Sequence, residues 1–194
     1  VYYQHNAQIF DYEEKKSLST LVAELAPGTV LPSPWPGYNA VVVVNPEFSN
    51  TVLLGINETG AFVLHIFSDS ASFSFSRVGS VVSIQPVPDA LSELVLLDAE
   101  LKPTVIEKGS FRQAVISPDG KIVAYTKNGE LSVYFQTLDG ITSQVLFEPG
   151  EISLLGWHPI THQLLVSVSN SNHSSLYLLD QKTGTKTEIL SGSS

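Results

Sequence analysis

The chain has 194 residues, of which 43% are hydrophobic and 15% charged, and it carries a net charge of −9. Intrinsic disorder needs low hydrophobicity and high charge, so this composition predicts a folded protein. The acidic balance and the scattered lysines and arginines argue against nucleic acid or an anionic membrane surface as a partner. The absence of cysteine excludes disulfides, cysteine-bound zinc and thiol nucleophiles.

The ends and the apolar runs of the chain limit its relation to membranes. No apolar run approaches the roughly 20 residues of a membrane span, so no membrane insertion is predicted within this chain. The chain begins at Val1 and contains no methionine. We therefore expect that an upstream segment was removed, and that the chain is a piece of a larger protein.

The first ambiguous segment is Tyr12–Leu25. The spacing of Leu18, Leu21 and Leu25 fits one face of an amphipathic helix. The alternative is two strands joined near residues 13–17. The choice depends on the repeat pattern of the whole chain.

A proline-rich stretch follows at Ala26–Tyr38. Proline favours extended conformations, which suits a crossing between two sheets or an exposed loop. Aromatic side chains are common anchors in protein interfaces. Trp35 and Tyr38 are therefore predicted as partner-binding residues, with packing of Trp35 on a neighbouring sheet as the alternative.

From residue 40 onward, short runs of β-branched and aromatic residues alternate with turn signals such as Asn128-Gly129 and Asp139-Gly140. Runs of this length suit strands and are too short for helices. The predicted strands are Ala40–Val44, Thr51–Leu54, Phe62–Phe67, Val81–Ile84, Leu94–Leu97, Ile122–Tyr125, Leu131–Phe135, Leu164–Val168 and Leu176–Leu179.

A repeat joins these strands into larger units. Ala40–Pro46, Gln113–Pro118 and Ser153–Pro159 each consist of an apolar strand, a small or polar residue and a proline. They are interpreted as equivalent first strands, each followed by three further strands of its unit. A period of about 40 residues with four strands per unit is typical of a β-propeller blade.

The fold class predicted is all-β and β-propeller-like, with four to five four-stranded blades and an incomplete first blade. Hairpins such as Leu178–Leu190 recur in the outer half of each unit, and Tyr12–Leu25 fits this pattern better as two strands than as a helix. The interval between Pro86 and Pro118 is short, which predicts an abbreviated third module. One domain over 1–194 is expected, with modules at 1–38, 39–78, 79–110, 111–150 and 151–190.

Two motifs carry a resemblance to a known family. Phe111–Tyr125, with its Ser-Pro-Asp-Gly-Lys turn, resembles the repeat of TolB-type propellers, and Leu176–Gly184 resembles the third-strand signature of that WD-repeat-like superfamily. The resemblance is best over 111–190. It marks a fold and implies protein or peptide binding at one face or in the central channel. The fifth module departs from the pattern with His158-Pro-Ile-Thr-His162.

Candidate chemical groups are sparse, so no catalytic residue, metal or cofactor is predicted. His158 and His162 flank Pro159 and fit a blade turn better than a metal site. Lys182-Thr183-Gly184 fits a hairpin turn, since the other β-lactamase motifs are missing. A glycosidase would need convergent carboxylates, and Asp89, Glu93, Asp119 and Glu151 are the residues to inspect.

These observations favour a non-catalytic module that binds a protein or peptide outside the cytoplasm, in the periplasm, at the cell surface or as a secreted protein. The alternative is an accessory propeller that gates access to a serine peptidase or another hydrolase whose catalytic domain lies outside this chain. A hydrolase sequence directly downstream would distinguish the two.

Overall fold

The structure is a computed structural model that describes the backbone of residues 2–5, 8–13, 18–24, 28–35, 37–44, 50–68, 73–87 and 89–193, and the side chains of 33–35, 37–39, 51–67, 73–87 and 89–192. The regular elements of these residues are all β-strands. No membrane-spanning helix is found within the part of the chain that the structure describes. The chain divides into two compact units, Val1–Ser70 and Ala71–Ser194.

The first unit begins with a three-stranded antiparallel sheet in the order β1-β2-β3. Ile9 faces Ala23 and Tyr12 faces Ser19 across the second strand pair. The prediction of two strands rather than a helix in Tyr12–Leu25 is thus confirmed. The strands are β1 (Tyr2–His5), β2 (Gln8–Glu13) and β3 (Leu18–Glu24).

The second sheet of this unit has four antiparallel strands in chain order. They are β4 (Gly28–Pro32), β5 (Ala40–Val44), β6 (Asn50–Asn57) and β7 (Gly60–Ser68). Ala40–Val44 pairs on both sides, with β4 and with β6. It is therefore the second strand of its sheet, and the prediction that it is the first strand of its unit was wrong. The error arises because every strand–turn–strand unit of an antiparallel sheet gives the same local pattern.

The second unit begins with a four-stranded sheet in the order β11-β10-β9-β8. Its first strand is the short run Phe73–Phe75, which pairs with Val81–Ser83. The predicted boundary at residue 79 falls in the turn between these strands, and the module predicted as abbreviated has all four strands. The strands are β8 (Phe73–Phe75), β9 (Val81–Gln85), β10 (Ser92–Leu97) and β11 (Pro103–Gly109).

Two further four-stranded sheets complete the second unit, each with its strands in chain order. The fourth sheet contains β12 (Phe111–Ile116), β13 (Ile122–Lys127), β14 (Ser132–Thr137) and β15 (Thr142–Leu146). The fifth contains β16 (Glu151–Trp157), β17 (Gln163–Ser169), β18 (His173–Asp180) and β19 (Lys186–Ser193). Every run from residue 40 onward that was predicted as a strand overlaps one of the observed strands.

The cores of the second unit lie between successive sheets. Because side chains alternate between the two faces of a strand, β13 sends Val123 and Tyr125 towards the third sheet and Ala124 towards the fifth. A sheet that is covered on both faces by other sheets is the packing unit of a propeller. The core between the fourth and fifth sheets includes Val133, Phe135, Val145, Ile152, Leu154, Leu164, Val166 and Leu179.

Candidate functional site

The first strands of the three sheets of the second unit lie side by side, with β12 between β8 and β16. Each is an edge strand of its own sheet, so one row of its backbone N–H and C=O groups has no ladder partner. Buried backbone groups need hydrogen-bond partners from elsewhere. The side chains of neighbouring first strands supply some of them.

Three hydrogen bonds join these first strands. The N–H of Ile116 donates to Ser74 Oγ at 3.1 Å, across 42 residues of sequence. The N–H of Leu154 donates to Gln113 Oε1 at 2.8 Å, across 41 residues. Trp157 Nε1 donates to the carbonyl of Val115 at 3.4 Å, again across 42 residues. The repeat period is therefore also the spacing of the contacts that hold the inner strands together.

The Ser-Pro-Asp-Gly-Lys turn follows β12 and is closed by side-chain hydrogen bonds. Ser117 Oγ donates to Asp119 Oδ1 at 2.6 Å and accepts from the N–H of Ile122 at 3.0 Å. The N–H of Lys121 donates to the same carboxylate oxygen at 3.2 Å. Burial alone would raise the pKa of Asp119, but these hydrogen bonds and the charges of His162 and Lys121 lower it.

The equivalent turns of the neighbouring sheets are built from different residues. In the third sheet the N–H of Ser80 donates to Ser76 Oγ at 2.8 Å. In the fifth sheet His158 Nδ1 accepts the N–H groups of Ile160 and Thr161 at 3.2 and 3.0 Å. His158 thus closes a blade turn, as predicted. No group of three or more His, Asp or Glu side chains that could hold a metal is found among the described residues.

The turns of successive sheets also pack against one another. The N–H of Arg77 donates to the carbonyl of Pro118 at 3.0 Å. Gly120 has a φ of +72°, and a Cβ placed there would lie 2.8 Å from Val78 Cγ2 and 3.0 Å from Ser80 Oγ. Glycine is therefore required at residue 120 both by its left-handed backbone and by the close approach of the neighbouring turn.

A groove of about 390 Å³ opens along the three first strands, and we call it the inner-strand groove. Apolar side chains and polar groups share its wall, and Leu155 in it is 53% exposed. On one side of the groove, Trp157 packs edge-on against Phe135, with 5.9 Å between the ring centroids. Arg77 is exposed in the groove and has no ion-pair partner among the described residues. The lining includes Phe75, Arg77, Val115, Leu155, Trp157 and Pro159.

The carboxylates inspected for glycosidase chemistry do not converge. Glu93 pairs with Lys108 at 2.7 Å, and Glu151 pairs with Arg112. Asp119 is engaged in its turn, and Asp89 lies in an exposed turn with a φ of +56°. Glu93, Glu151 and Asp119 thus each have a partner of their own, and no contact joins two of the four carboxylates among the described residues.

Two polar clusters are formed only by the tertiary structure. Lys127 Nζ lies 2.7 Å from Glu107 and 4.8 Å from the centroid of the Tyr134 ring. Burial, together with a hydrogen bond to Glu107, raises the pKa of Tyr125. The hydrogen bond with Glu107 raises the pKa of Lys127, because it favours the charged ammonium. These groups tie the third sheet to the fourth.

The second cluster lies on β18 and β19. Ser175 Oγ donates to Glu188 Oε1 at 2.8 Å and lies 2.8 Å from His173 Nε2. Because the single hydroxyl proton goes to the carboxylate, the histidine is the donor to Ser175. A nucleophilic serine needs the opposite arrangement, with its proton directed at the histidine. Ser175 is also buried, so this cluster links two strands.

Lys182-Thr183-Gly184 lies in the hairpin turn between β18 and β19, as predicted. The carboxylate of Asp180 accepts the N–H groups of Lys182 and Thr183 at 2.9 and 3.0 Å. The bond from Thr183 is the largest of the interactions that lower the pKa of Asp180. Gly184 follows with a φ of +67°. The motif therefore forms the hairpin turn between β18 and β19.

Trp35 and Tyr38 lie in the first unit, between β4 and β5. Trp35 is 7% exposed, and its N–H donates to Ser33 Oγ at 3.1 Å. The Tyr38 ring lies over Gly55, where a Cβ would collide with it, and 6.2 Å from the ring of the exposed Phe62. Tyr38 is half-buried and more accessible than Trp35. Partner contact by these two residues stays a prediction.

The sequence matches no family model and no curated protein. The structure is similar to TolB from Acinetobacter baumannii, with a TM-score of 0.63 and 15% identity over 94% of this chain and 48% of TolB. It is similar to an oligogalacturonate lyase in complex with manganese, with a TM-score of 0.69 and 15% identity over 95% of this chain and 59% of the lyase. It is also similar to the β-propeller domain of the Trilobed protease from Pyrococcus furiosus, with a TM-score of 0.55 and 13% identity over 78% of this chain and 53% of that domain.

These likenesses define the class of the protein. The chain has the β-propeller fold, built of four-stranded blades, and TolB is among its structural neighbours. The chain spans 48% of the length of TolB and 59% of that of the lyase. At identities this low the likeness shows the fold alone, because one fold hosts many functions.

Proposed function

We propose that this chain is a protein- or peptide-interaction module that acts outside the cytoplasm, and that the inner-strand groove is its binding surface. The observation that carries the proposal is an open groove, with both apolar and polar groups in its wall, along three strands that are hydrogen-bonded to one another. Specific recognition usually combines apolar contact with a few placed polar groups. TolB among the structural neighbours supports the extracytoplasmic setting.

Two features of the groove suit an extended peptide. Leu155 and Phe75 offer apolar contact for side chains. Arg77 places an exposed guanidinium at the same groove in a chain of net charge −9, and a guanidinium pairs well with a carboxylate. A peptide with apolar side chains and one carboxylate would satisfy both features.

The test uses a phage-displayed library of random seven-residue peptides selected on the immobilised chain. Recovered peptides are synthesised, and their dissociation constants are measured by fluorescence anisotropy against wild type, Leu155→Glu and Arg77→Ala. The control is Leu138→Glu, because Leu138 is also exposed but does not line this groove. Burial of a leucine contributes about 1.5–3 kcal/mol, so Leu155→Glu is expected to weaken binding by at least tenfold.

Equal affinity of the recovered peptides for wild type and Leu155→Glu would reject the groove as the binding surface. Equal weakening by Leu138→Glu would do the same. Trp35→Ala and Tyr38→Ala test the surface predicted in the first unit. Unchanged binding by both variants would exclude these residues as contacts.

The second candidate is an accessory propeller of a hydrolase. It is supported by the likeness to a propeller that is itself a domain of a protease. In that case the full-length gene product contains a hydrolase domain, and removal of the propeller changes which substrates are cleaved. Absence of such a domain from the gene product would reject this candidate.

A further inference from the structure

A buried hydroxyl between the fourth and fifth sheets lacks a hydrogen-bond partner. Thr126 on β13 is 1% exposed, and its Oγ1 has no partner among the described residues. Thr126 pairs with Val133, and the equivalent pair of the third sheet is Ile84 with Leu94. The third sheet thus has an apolar side chain where the fourth has a hydroxyl. Buried polar groups are nearly always hydrogen-bonded, so this hydroxyl points to a partner from outside the chain.

A cavity of about 200 Å³ opens beside this hydroxyl, and we call it the Thr126 cavity. It lies between the fourth and fifth sheets, and the turn between β13 and β14 forms part of its wall. Arg112 and Ile152 line it from near the starts of β12 and β16, whereas Val115 and Trp157 line the inner-strand groove from near their ends. The two sites therefore lie at opposite ends of the same strands.

Two exposed side chains of opposite charge line the Thr126 cavity. The guanidinium of Arg112 donates to Glu151. A guanidinium has five N–H donors, so this ion pair leaves donors for a second acceptor. Glu130 accepts a hydrogen bond from the hydroxyl of Tyr134. A carboxylate has about four lone-pair sites, so Glu130 can accept further hydrogen bonds.

These groups are complementary to a free α-amino acid. Arg112 suits its carboxylate and Glu130 its ammonium, whereas Lys127 in the same wall is already bonded to Glu107. Thr126 is buried, so it would meet a polar atom of the side chain. At about 30 Å³ for each water, the cavity has room for about seven waters. That number is similar to the number of non-hydrogen atoms in serine or threonine.

We propose that the Thr126 cavity binds a free α-amino acid with a short hydroxyl-bearing side chain, such as threonine or serine. The ligand hydroxyl supplies the partner that Thr126 Oγ1 lacks. A zwitterion has no net charge, so the net charge of −9 on the chain does not repel it. The site does not depend on peptide binding in the inner-strand groove, because the two share no lining residue.

The experiment is isothermal titration calorimetry of the complete chain with L-threonine and with L-valine. These two amino acids have nearly the same shape, but valine has a methyl group in place of the hydroxyl. Wild type is expected to bind threonine about tenfold more tightly than valine, because valine leaves Thr126 unpaired. Thr126→Val is expected to abolish this preference. Thr126→Ser is the matched control, since it keeps a hydroxyl and is expected to keep the preference.

The charged groups are tested with Arg112→Gln and Glu130→Gln. Each variant is expected to weaken binding of threonine and of valine alike by about tenfold, because each removes a charge that pairs with one end of every amino acid. Arg77→Ala is the control, since Arg77 lines the inner-strand groove and not the Thr126 cavity. It is expected to bind threonine as wild type does.

Circular dichroism of each variant checks the fold. A wild-type chain that gives no binding heat with millimolar threonine would overturn the proposal. So would equal affinity of wild type for threonine and valine, a Thr126→Val chain that still prefers threonine, or full binding by both glutamine variants. A Leu155→Glu chain that binds threonine normally but no longer binds the selected peptides would support both proposals separately.

Discussion

Replacement of Gly120 by alanine tests the packing of one blade turn on the next. The φ of Gly120 is +72°, and an alanine in this left-handed conformation costs about 1 kcal/mol. The new Cβ would lie 2.8 Å from Val78 Cγ2 and 3.0 Å from Ser80 Oγ. Overpacking of this kind costs about 1–3 kcal/mol.

The two neighbours of the new methyl group differ in their freedom to move. Val78 is exposed and can rotate away, whereas Ser80 is buried and its N–H donates to Ser76 Oγ. The steric cost should therefore lie in the lower part of its range. The expected loss for Gly120→Ala is about 2–3 kcal/mol of unfolding free energy.

Gly129→Ala is the matched control. Its φ is +76°, close to that of Gly120, but no heavy atom lies within 4 Å of a Cβ placed there. Its expected loss is the backbone cost alone, about 1 kcal/mol. The difference between the two variants isolates the contact between the turns.

The assay is urea unfolding followed by far-UV circular dichroism. Adding Val78→Ala to Gly120→Ala should recover part of the loss, because it removes the closest neighbour of the new methyl group. Equal losses for Gly120→Ala and Gly129→Ala would refute the reasoning, since the turns would then not be in contact in solution.

Two further predictions concern the same strands and turns. Because the pKa of Asp119 is lowered in the folded chain, its contribution to stability is complete above the ordinary carboxyl pKa of about 4 and is lost as the pH falls through the folded value. Urea unfolding at pH 3 to 7 should show a stability difference between wild type and Asp119→Asn that shrinks in acid, and a constant difference would contradict the shift. Gln113→Met leaves the N–H of Leu154 without its acceptor and should cost about 1–3 kcal/mol, whereas Gln113→Glu keeps an acceptor and should cost less. Equal costs for both variants in the same assay would count against that hydrogen bond.

The strands themselves could be predicted from the sequence. Short apolar runs such as Ile122–Tyr125, with Asn128-Gly129 after them, depend on side-chain alternation and on backbone preferences of single residues, which are local properties. The repeat could be predicted as well, because each blade must meet its neighbour with the same surface. The turn role of His158 followed from its place in that repeat.

The sequence did not allow us to predict which strand comes first in each sheet. Ala40–Val44 looks like a first strand because a hairpin has the same local pattern at any place in an antiparallel sheet. Phe73–Phe75 is too short to stand out, and only its pairing with Val81–Ser83 makes it a strand. The inner-strand groove and its Arg77 were missed for this reason, although the Phe-Ser-Phe-Ser run before Arg77 resembles other first strands.

The sequence by itself determined that this 194-residue chain of net charge −9 folds into repeated four-stranded units. The tertiary structure alone decided which side chains meet. Ser74 reaches Ile116, Gln113 reaches Leu154, and Val145 is buried against the fifth sheet. The physical reason is that strand formation depends on neighbours in sequence, whereas a groove or an interface depends on residues about 40 positions apart.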